Sequence, residues 1–363
     1  MDEINEKFIL RCFHLAKKAL GKTTPNPYVG CVIVKGDEVI GEGFHKKSGL
    51  DHAEADAFNS LTEDPKGATL YCNLEPCCHT NKKTAPCCDR IINEGISKVV
   101  ISNLDPNPEV AGKGVEKLRA AGIEVVTGIL ENEGALLNEI FFTHITLQRP
   151  FIHLKWAQTL DGKTATTNFD SKWITSKNAR SHVHRERELY DAILVGDTTA
   201  NKDNPKLTIR INDEICKKRI ILSPDGKVNL DNHLFTDEFR EQTIIVIAPN
   251  SEVKTDLTLI SCLLNETGEA FDFNDLLKKL YAHGVCSIYV EGGSTVINSF
   301  LVHNIFDRLS VYIAPKILGE GIQSVNKLKF DSMKDSISFE DGSWTQFKPD
   351  MLFESKRNVC LQD

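Results

Sequence analysis

The 363-residue sequence has no window approaching eighteen consecutive apolar residues, so no segment reads as a membrane span. Its opening, Met1 to Leu20, lacks the uninterrupted apolar stretch of a signal peptide and mixes acids, bases and apolar residues at helical spacing. Positive charge is not in excess: 43 Lys and Arg stand against 51 Asp and Glu, a net charge of −8. That balance argues against a protein built to coat nucleic acid, while leaving room for a local basic groove. No GxGxxG fingerprint occurs, which argues against a Rossmann dinucleotide domain. Internal repeats and low-complexity tracts are absent too. What is present is ordinary for a globular chain, 41% hydrophobic and 26% charged, and long enough for two domains with separate cores.

Cysteine is the exception. Without an export signal, eleven cysteines do not read as a disulfide framework, and a cytoplasmic location is expected. Cys12, Cys31 and Cys286 sit in apolar runs and read as small buried hydrophobes. Five others (72, 77, 78, 87 and 88) crowd into one stretch, which favours a metal. That stretch reads Asp51-His52-Ala53-Glu54-Ala55, then Glu75-Pro76-Cys77-Cys78-His79, then Thr84-Ala85-Pro86-Cys87-Cys88. One His with a choice of thiolates supplies three protein ligands for a catalytic zinc and leaves a fourth tetrahedral position open. Glu54, two residues beyond His52, is placed to shuttle protons without binding the metal. His-x-Glu followed by Pro-Cys and a second Cys is the pattern of zinc deaminases of nucleobase-like rings. A structural zinc held by four cysteines is the bland alternative, but the cysteines form vicinal pairs rather than C-x₂₋₄-C knuckles.

Around the motif, periodicity predicts a helix over 4–20, a hairpin over 29–34 and 39–43, and a helix carrying His52 and Glu54 capped by Asp51. A strand over 70–74 leads to Pro76 in the first turn of another helix, whose amides would favour thiolate at Cys77. Strands over 99–102 and 123–127, with helices over 115–121 and 135–146, complete a mixed or parallel sheet. Gln148-Arg149-Pro150 marks the boundary between domains over 1–147 and 150–363. Beyond it, strands are expected at 151–157, 192–196, 219–222, 243–248, 287–290 and 309–314. Helices follow at 177–188, 273–282 and from Ser294 to Leu301, and the tail is expected to supply edge strands. Gly292-Gly293-Ser294 lies between a strand and a helix, a place where backbone amides can hold phosphate, although an ordinary tight turn has the same look.

The N-terminal half resembles the deaminase half of the bifunctional riboflavin-biosynthesis deaminase/reductases. The resemblance rests on Pro25-Asn26-Pro27-Tyr28-Val29-Gly30, Gly41-Glu42-Gly43-Phe44-His45, Gly49 to Glu54, Leu74 to His79 and Lys83-Thr84-Ala85-Pro86-Cys87. Cys77 and Cys87 lie ten apart, unlike the C-x-x-C of nucleic-acid and nucleoside deaminases. One extra residue in that spacer, and Ala85 for a usual Pro, leave Cys78, Cys88 and His79 as alternative ligands. The C-terminal half resembles the reductase half, through Lys155 to Lys163, Trp173-Ile174-Thr175-Ser176, Gly196 to Thr199, Asp203-Asn204-Pro205 and Val290 to Ser294. Position 159 is Thr where Ser is usual.

The resemblance implies an α/β chain: a cytidine-deaminase-like α/β/α domain, then a dihydrofolate-reductase-like α/β domain. It implies Zn2+ on His52, Cys77 and Cys87 with Glu54 as the catalytic acid/base, and NADPH against Ala157, Trp173, Thr199, Asp203, Ser223 and Gly293. Substrate would meet Asn26, His45 and Lys83 in the first half, and Ser171, Arg187, Leu207, Arg210 and Glu291 in the second. Arg187 and Arg210 would fork a ribose 5-phosphate, although by themselves they read as a solvated helix face and a surface loop. Lys155 and Asp161 would help position substrate. The expected substrate is a pyrimidine ribosyl phosphate, first deaminated and then reduced to its ribityl form. The partners expected are that small molecule and further copies of the chain, with no nucleic acid and no membrane. The competing readings are a nucleic-acid-editing zinc deaminase with an appended binding domain, and a non-catalytic zinc-stabilised binding protein.

Overall fold

The computed structural model describes residues 2–78, 86–107, 110–210 and 214–357. The chain divides into two compact units, Met1–Gln148 and Arg149–Asp363. In the first, strands β1 (Gly30–Lys35), β2 (Glu38–Phe44), β3 (Thr69–Leu74), β4 (Lys98–Asn103) and β5 (Glu124–Thr127) form one sheet in the order β2-β1-β3-β4-β5. β1 pairs antiparallel with β2 and β3, whereas β3, β4 and β5 run parallel. Alternation along the strands divides the core in two. Val32, Val34, Tyr71 and Val100 pack with Phe8, Ile9, Cys12 and Phe13 of α1 (Asp2–Ala16). Cys31, Ile33, Leu70, Cys72, Val99 and Ile101 pack on the opposite side with α2 (Ala53–Asn59), α3 (Cys87–Asn93) and α4 (Lys113–Ala120). The expected helix over 135–146 is two, α5 (Glu131–Leu137) and α6 (Glu139–Leu147).

Two expectations near the metal motif are corrected. The N-cap of α2 is His52, in extended conformation, and not Asp51, whose carboxylate instead accepts from Asn59 Nδ2 at 3.2 Å. Pro76 starts no helix: residues 75–78 are irregular, and the helix begins ten residues past Cys77, at Cys87, behind the N-cap Pro86. α2 lies hard against β2. A Cβ at Gly43 would sit 2.2 Å from the Ala57 amide, so the Gly-Glu-Gly of β2 is what lets α2 approach and fixes the height of His52 and Glu54.

The second unit is built on a nine-stranded sheet. Its strands are β6 (Phe151–Thr159), β7 (Ala192–Gly196), β8 (Lys218–Leu222), β9 (Thr243–Ile247), β10 (Thr258–Ser261), β11 (Ser287–Val290), β12 (Arg308–Ala314), β13 (Ser343–Phe347) and β14 (Asp350–Lys356). Their order is β10-β9-β8-β7-β11-β6-β12-β14-β13. Neighbours run parallel from β10 to β12, while β14 and β13 add antiparallel edge strands from the tail. β7 shows the two-sided burial that parallel strands need. Ala192 and Leu194 face a cluster with α9 (Phe273–Ala282) and α10 (Ser294–Val302), and Ile193 and Val195 face the other side. α7 (Lys177–Glu188) is capped by Ser176, whose hydroxyl accepts from the Ala179 amide, and α8 (Asp197–Asp203) follows β7 directly. β10 escaped the sequence reading because only Ile260 of its four residues is buried.

Candidate active sites

In the first unit three elements converge. His52 begins α2, Cys77 lies in the irregular segment after β3, and Cys87 opens α3. His52 Nδ1 is 3.6 Å from Cys77 Sγ and 3.4 Å from Cys87 Sγ, and the three donor atoms lie within 4.8 Å of one another. Zinc bonds of about 2.3 Å to sulfur and about 2.05 Å to nitrogen, at tetrahedral angles, separate N from S by roughly 3.5 Å. Two sulfurs and an imidazole nitrogen at this spacing therefore fit that ion.

The Cys77 thiol is drawn down to about 3, first by its hydrogen bond from Cys87, against its own burial, then by His52 and the Cys87 amide. That amide, at 3.4 Å from Cys77 Sγ, belongs to the first residue of α3. The helix-start amide expected at Cys77 thus exists, but a different helix supplies it. The same contact with Cys77, together with burial, pushes the Cys87 thiol up. Cys88 turns away, its thiol donating to the Pro76 carbonyl at 3.3 Å, and burial pushes that thiol up.

Glu54, 4% exposed, is pushed up first by burial and then by the Cys77 charge. It borders a cavity of about 270 Å³ together with Asn26, His45, His52 and Cys77. Asn26 Nδ2 and His45 Nε2 are 3.0 Å apart, and His45 Nδ1 is 2.9 Å from the Asp51 carbonyl, so these side chains brace one another in the cavity wall. Lys83 and His79 lie outside the described residues. The sequence reading passed over Asp105, Asn107, Phe141 and His144, which line the same cavity. The Asp105-Pro106-Asn107-Pro108 run after β4 was a turn signal that could have flagged the first two. Glu75 has a different task. Its carboxylate accepts from the amides of Asp105, Gly112, Gly114 and Val115 at 2.8–3.1 Å, tying the post-β4 loop to the cysteine segment.

In the second unit, Ser171, Arg187, Leu207, Arg210 and Glu291 all line a cavity of about 480 Å³. Ala157, Trp173, Thr199, Asp203 and Gly293 line a second, of about 400 Å³, and Ala157, Ser171, Trp173, Asp203 and Glu291 border both. Ser223 is not part of either wall; its buried hydroxyl donates at 3.0 Å to Asp197, which is. Arg187 does not sit on a solvated helix face. Its Nε and Nη2 donate to the two Glu291 oxygens at 2.5 and 3.1 Å, and its Nη1 donates to the Thr208 carbonyl at 2.7 Å. Lys155 Nζ adds a contact to Glu291 at 3.5 Å. Burial alone would raise Glu291, but Arg187 and Lys155 outweigh it and hold the carboxylate at about 2. Asp161 takes the Thr159 hydroxyl at 2.6 Å and the Gly319 amide at 2.8 Å and so braces a turn.

Gly293 joins β11 to α10 at φ +45°, and a Cβ there would meet Thr199 Oγ1 at 2.8 Å. A cavity wall that includes a glycine at a helix N-terminus leaves backbone amides open to a phosphate.

Residues 150–353 match the RibD C-terminal domain, and residues 2–103 match the cytidine and deoxycytidylate deaminase zinc-binding region. The riboflavin biosynthesis protein RibD of Aquifex aeolicus is 44% identical over 362 residues, covering 98% of this chain and 99% of the relative. That of Escherichia coli K12 is 36% identical, covering 96% and 98%. Among solved structures, the diaminohydroxyphosphoribosylaminopyrimidine deaminase/5-amino-6-(5-phosphoribosylamino)uracil reductase of Thermotoga maritima superposes with a TM-score of 0.86 at 39% identity, over 98% and 99% of the two chains. Acinetobacter baumannii RibD does so at 0.89 and 34% identity, over the same shares.

Proposed function

The chain belongs to the RibD family of bifunctional riboflavin-biosynthesis enzymes, and from that membership we propose how its residues divide the work. It is a deaminase and a reductase in one chain, with a cytidine-deaminase-like domain ahead of a RibD-type reductase domain and with zinc and NADPH as cofactors. The reading carried furthest is deamination of a diaminopyrimidinone ribosylamino phosphate over 1–147, then reduction of its ribosyl group to ribityl over 150–363. The observation that carries it is the meeting of His52 Nδ1 with two cysteine sulfurs beside buried Glu54.

In the first half His52, Cys77 and Cys87 would hold the zinc, whose chemistry when bound is to acidify a water. Glu54 takes a proton from the nucleophile and returns one to the leaving ammonia. Its burial supports this, since burial raises the carboxyl and so favours its taking up a proton. Asn26 and His45 hold the pyrimidine from the cavity wall, and Lys83 is assigned to the substrate by resemblance alone. In the second half, NADPH supplies the hydride. Ala157, Trp173, Thr199, Asp203 and Gly293 would orient it, with Ser223 acting through Asp197. Ser171, Leu207 and Glu291 would hold the ribosyl group. Arg210, exposed at the rim, is the freer fork for phosphate, and Arg187 serves by fixing Glu291.

We extend the proposal to a homo-oligomer in the cytoplasm. A chain of eleven cysteines whose chemistry needs free thiolates suits a reducing compartment, and the edge strand β13 leaves Trp344 exposed for a subunit contact. Among the described residues no helix is long and apolar enough to cross a membrane. The test is a paired assay: ammonia release from the diaminopyrimidinone phosphate, and NADPH oxidation with its deaminated product. Ammonia release from RNA or DNA instead, or zinc binding with neither turnover, would overturn the assignment.

A further inference from the structure

Beneath α7 the second unit holds a layer of polar side chains, of which Tyr312, His182 and Glu186 have no role above. β6 and β12 read as apolar strands, yet their register sets Lys155 beside Ser310 and Ala157 beside Tyr312 on one face. Tyr312, although 1% exposed, forms part of the wall of the 480 Å³ cavity with Lys155 and Glu291. Its ring lies 5.7 Å from Lys155 Nζ. Its hydroxyl is 2.7 Å from His182 Nδ1, and His182 Nε2 is 3.8 Å from Glu186 Oε1, one turn further along α7. The His182 and Glu186 side chains are 21% and 15% exposed, so the series runs from the solvent edge to the cavity.

Reduction of a ribosylamine to its open ribityl form needs a proton donor as well as a hydride. A hydride bonds to the anomeric carbon, the bond from that carbon to the ring oxygen breaks, and its electron pair stays on the oxygen, which must take a proton. NADPH accounts for the hydride and not for that proton. We propose that Tyr312 delivers it: the phenol O–H breaks towards the ring oxygen, His182 Nδ1–H restores the phenol, and Glu186 and solvent reprotonate His182 at Nε2. The proposal rests on the assignment of this cavity to the ribosyl substrate.

The surroundings suit a relay between neutral donors. Glu186 faces Glu354, Arg308 and Arg185; burial first and then Glu354 raise it to about 7. Burial lowers His182, which also faces Glu354 and Arg185. Burial raises Tyr312, which faces Glu186, Glu354, Tyr289 and Glu291.

The experiment uses the full-length protein with NADPH and the deaminated pyrimidine phosphate. Tyr312→Phe keeps the ring under Lys155 and removes the hydroxyl. Its kcat for reduction should fall 10²–10⁴-fold, the loss typical of a positioned acid, with NADPH affinity and ammonia release unchanged. Glu186→Gln should remove an ionisation near neutrality from the reductase kcat profile. In the ligand-free protein it should also shift the His182 ring titration followed by NMR. A Tyr312→Phe enzyme within about threefold of the parent kcat overturns the relay. So does a Glu186→Gln protein with an unaltered profile and an unaltered His182 titration, which decides the matter alone if Tyr312→Phe no longer binds NADPH. If the parent protein oxidises no NADPH with this substrate, the reductase assignment itself fails, and the relay with it.

Discussion

Two vicinal cysteine pairs present four sulfurs, and geometry chooses between them. Consecutive residues at a helix start point about 100° apart, so Cys87 and Cys88 cannot both face one ion. Cys87 turns to His52 and Cys88 to the Pro76 carbonyl. Cys77→Ser and Cys87→Ser should therefore lose zinc, whereas Cys78→Ser and Cys88→Ser should keep one ion per chain; metal analysis of the four purified variants checks this. Glu291 makes a second residue-scale prediction. Its carboxylate is held at about 2 in the fold against 4.5 ordinarily, so the stability it contributes is full above 4.5 and is lost as pH falls towards 2. Glu291→Gln should flatten that part of the acid limb of a melting-temperature profile, a contribution on the order of 3 kcal/mol by proton linkage. An unchanged limb would mean that Arg187 and Lys155 do not hold the charge.

Single elements are where local patterns and observed structure diverge. Proline after a strand is a fair helix-start signal, yet Pro76 opens none, because the Glu75 carboxylate occupies four loop amides and holds the segment irregular. Asp51 is a good capping residue by type, but the packing of α2 on Gly43 starts the helix one residue later, at His52. At the turn from β11 to α10, Gly293 takes a backbone conformation that L side chains rarely adopt. Gly293→Ala would place a Cβ 2.8 Å from Thr199 Oγ1 at φ +45°, crowding the lining of the cavity we assign to NADPH. NADPH affinity measured by fluorescence titration should fall at least about tenfold, equivalent to roughly 1.4 kcal/mol. Undiminished affinity in the folded variant would remove this turn from the phosphate site.

At the scale of the whole molecule, the two units have separate cores, and no residue we assign to one activity is assigned to the other. Glu54→Gln keeps size and polarity but cannot accept a proton. Ammonia release should drop 10²–10⁴-fold or more, since one residue serves more than one proton transfer. Zinc content should stay at the parent level, because Glu54 is outside the ligand set. The same variant should oxidise NADPH at the normal rate when supplied with the deaminated pyrimidine. Loss of both activities in a folded, zinc-replete protein would contradict the division of labour.

Local order by itself determined much of this protein. The spacing of His52, Glu54, Cys77 and Cys87, the alternating burial of the strands, and the glycines before α10 are chemistry and periodicity that neighbours along the chain already carry. The tertiary structure alone decided which sulfur of each pair meets His52, because that depends on where α3 begins relative to β3. It turned Arg187 from an apparent surface fork into the partner of Glu291, since the two lie 104 positions apart in sequence. It also gathered Tyr312, His182 and Glu186, whose contacts join a strand to a helix 130 positions away. Period-2 and period-3.6 patterns report which face of an element is buried. They carry no information on which distant polar groups meet there, because that is set by the packing of whole elements.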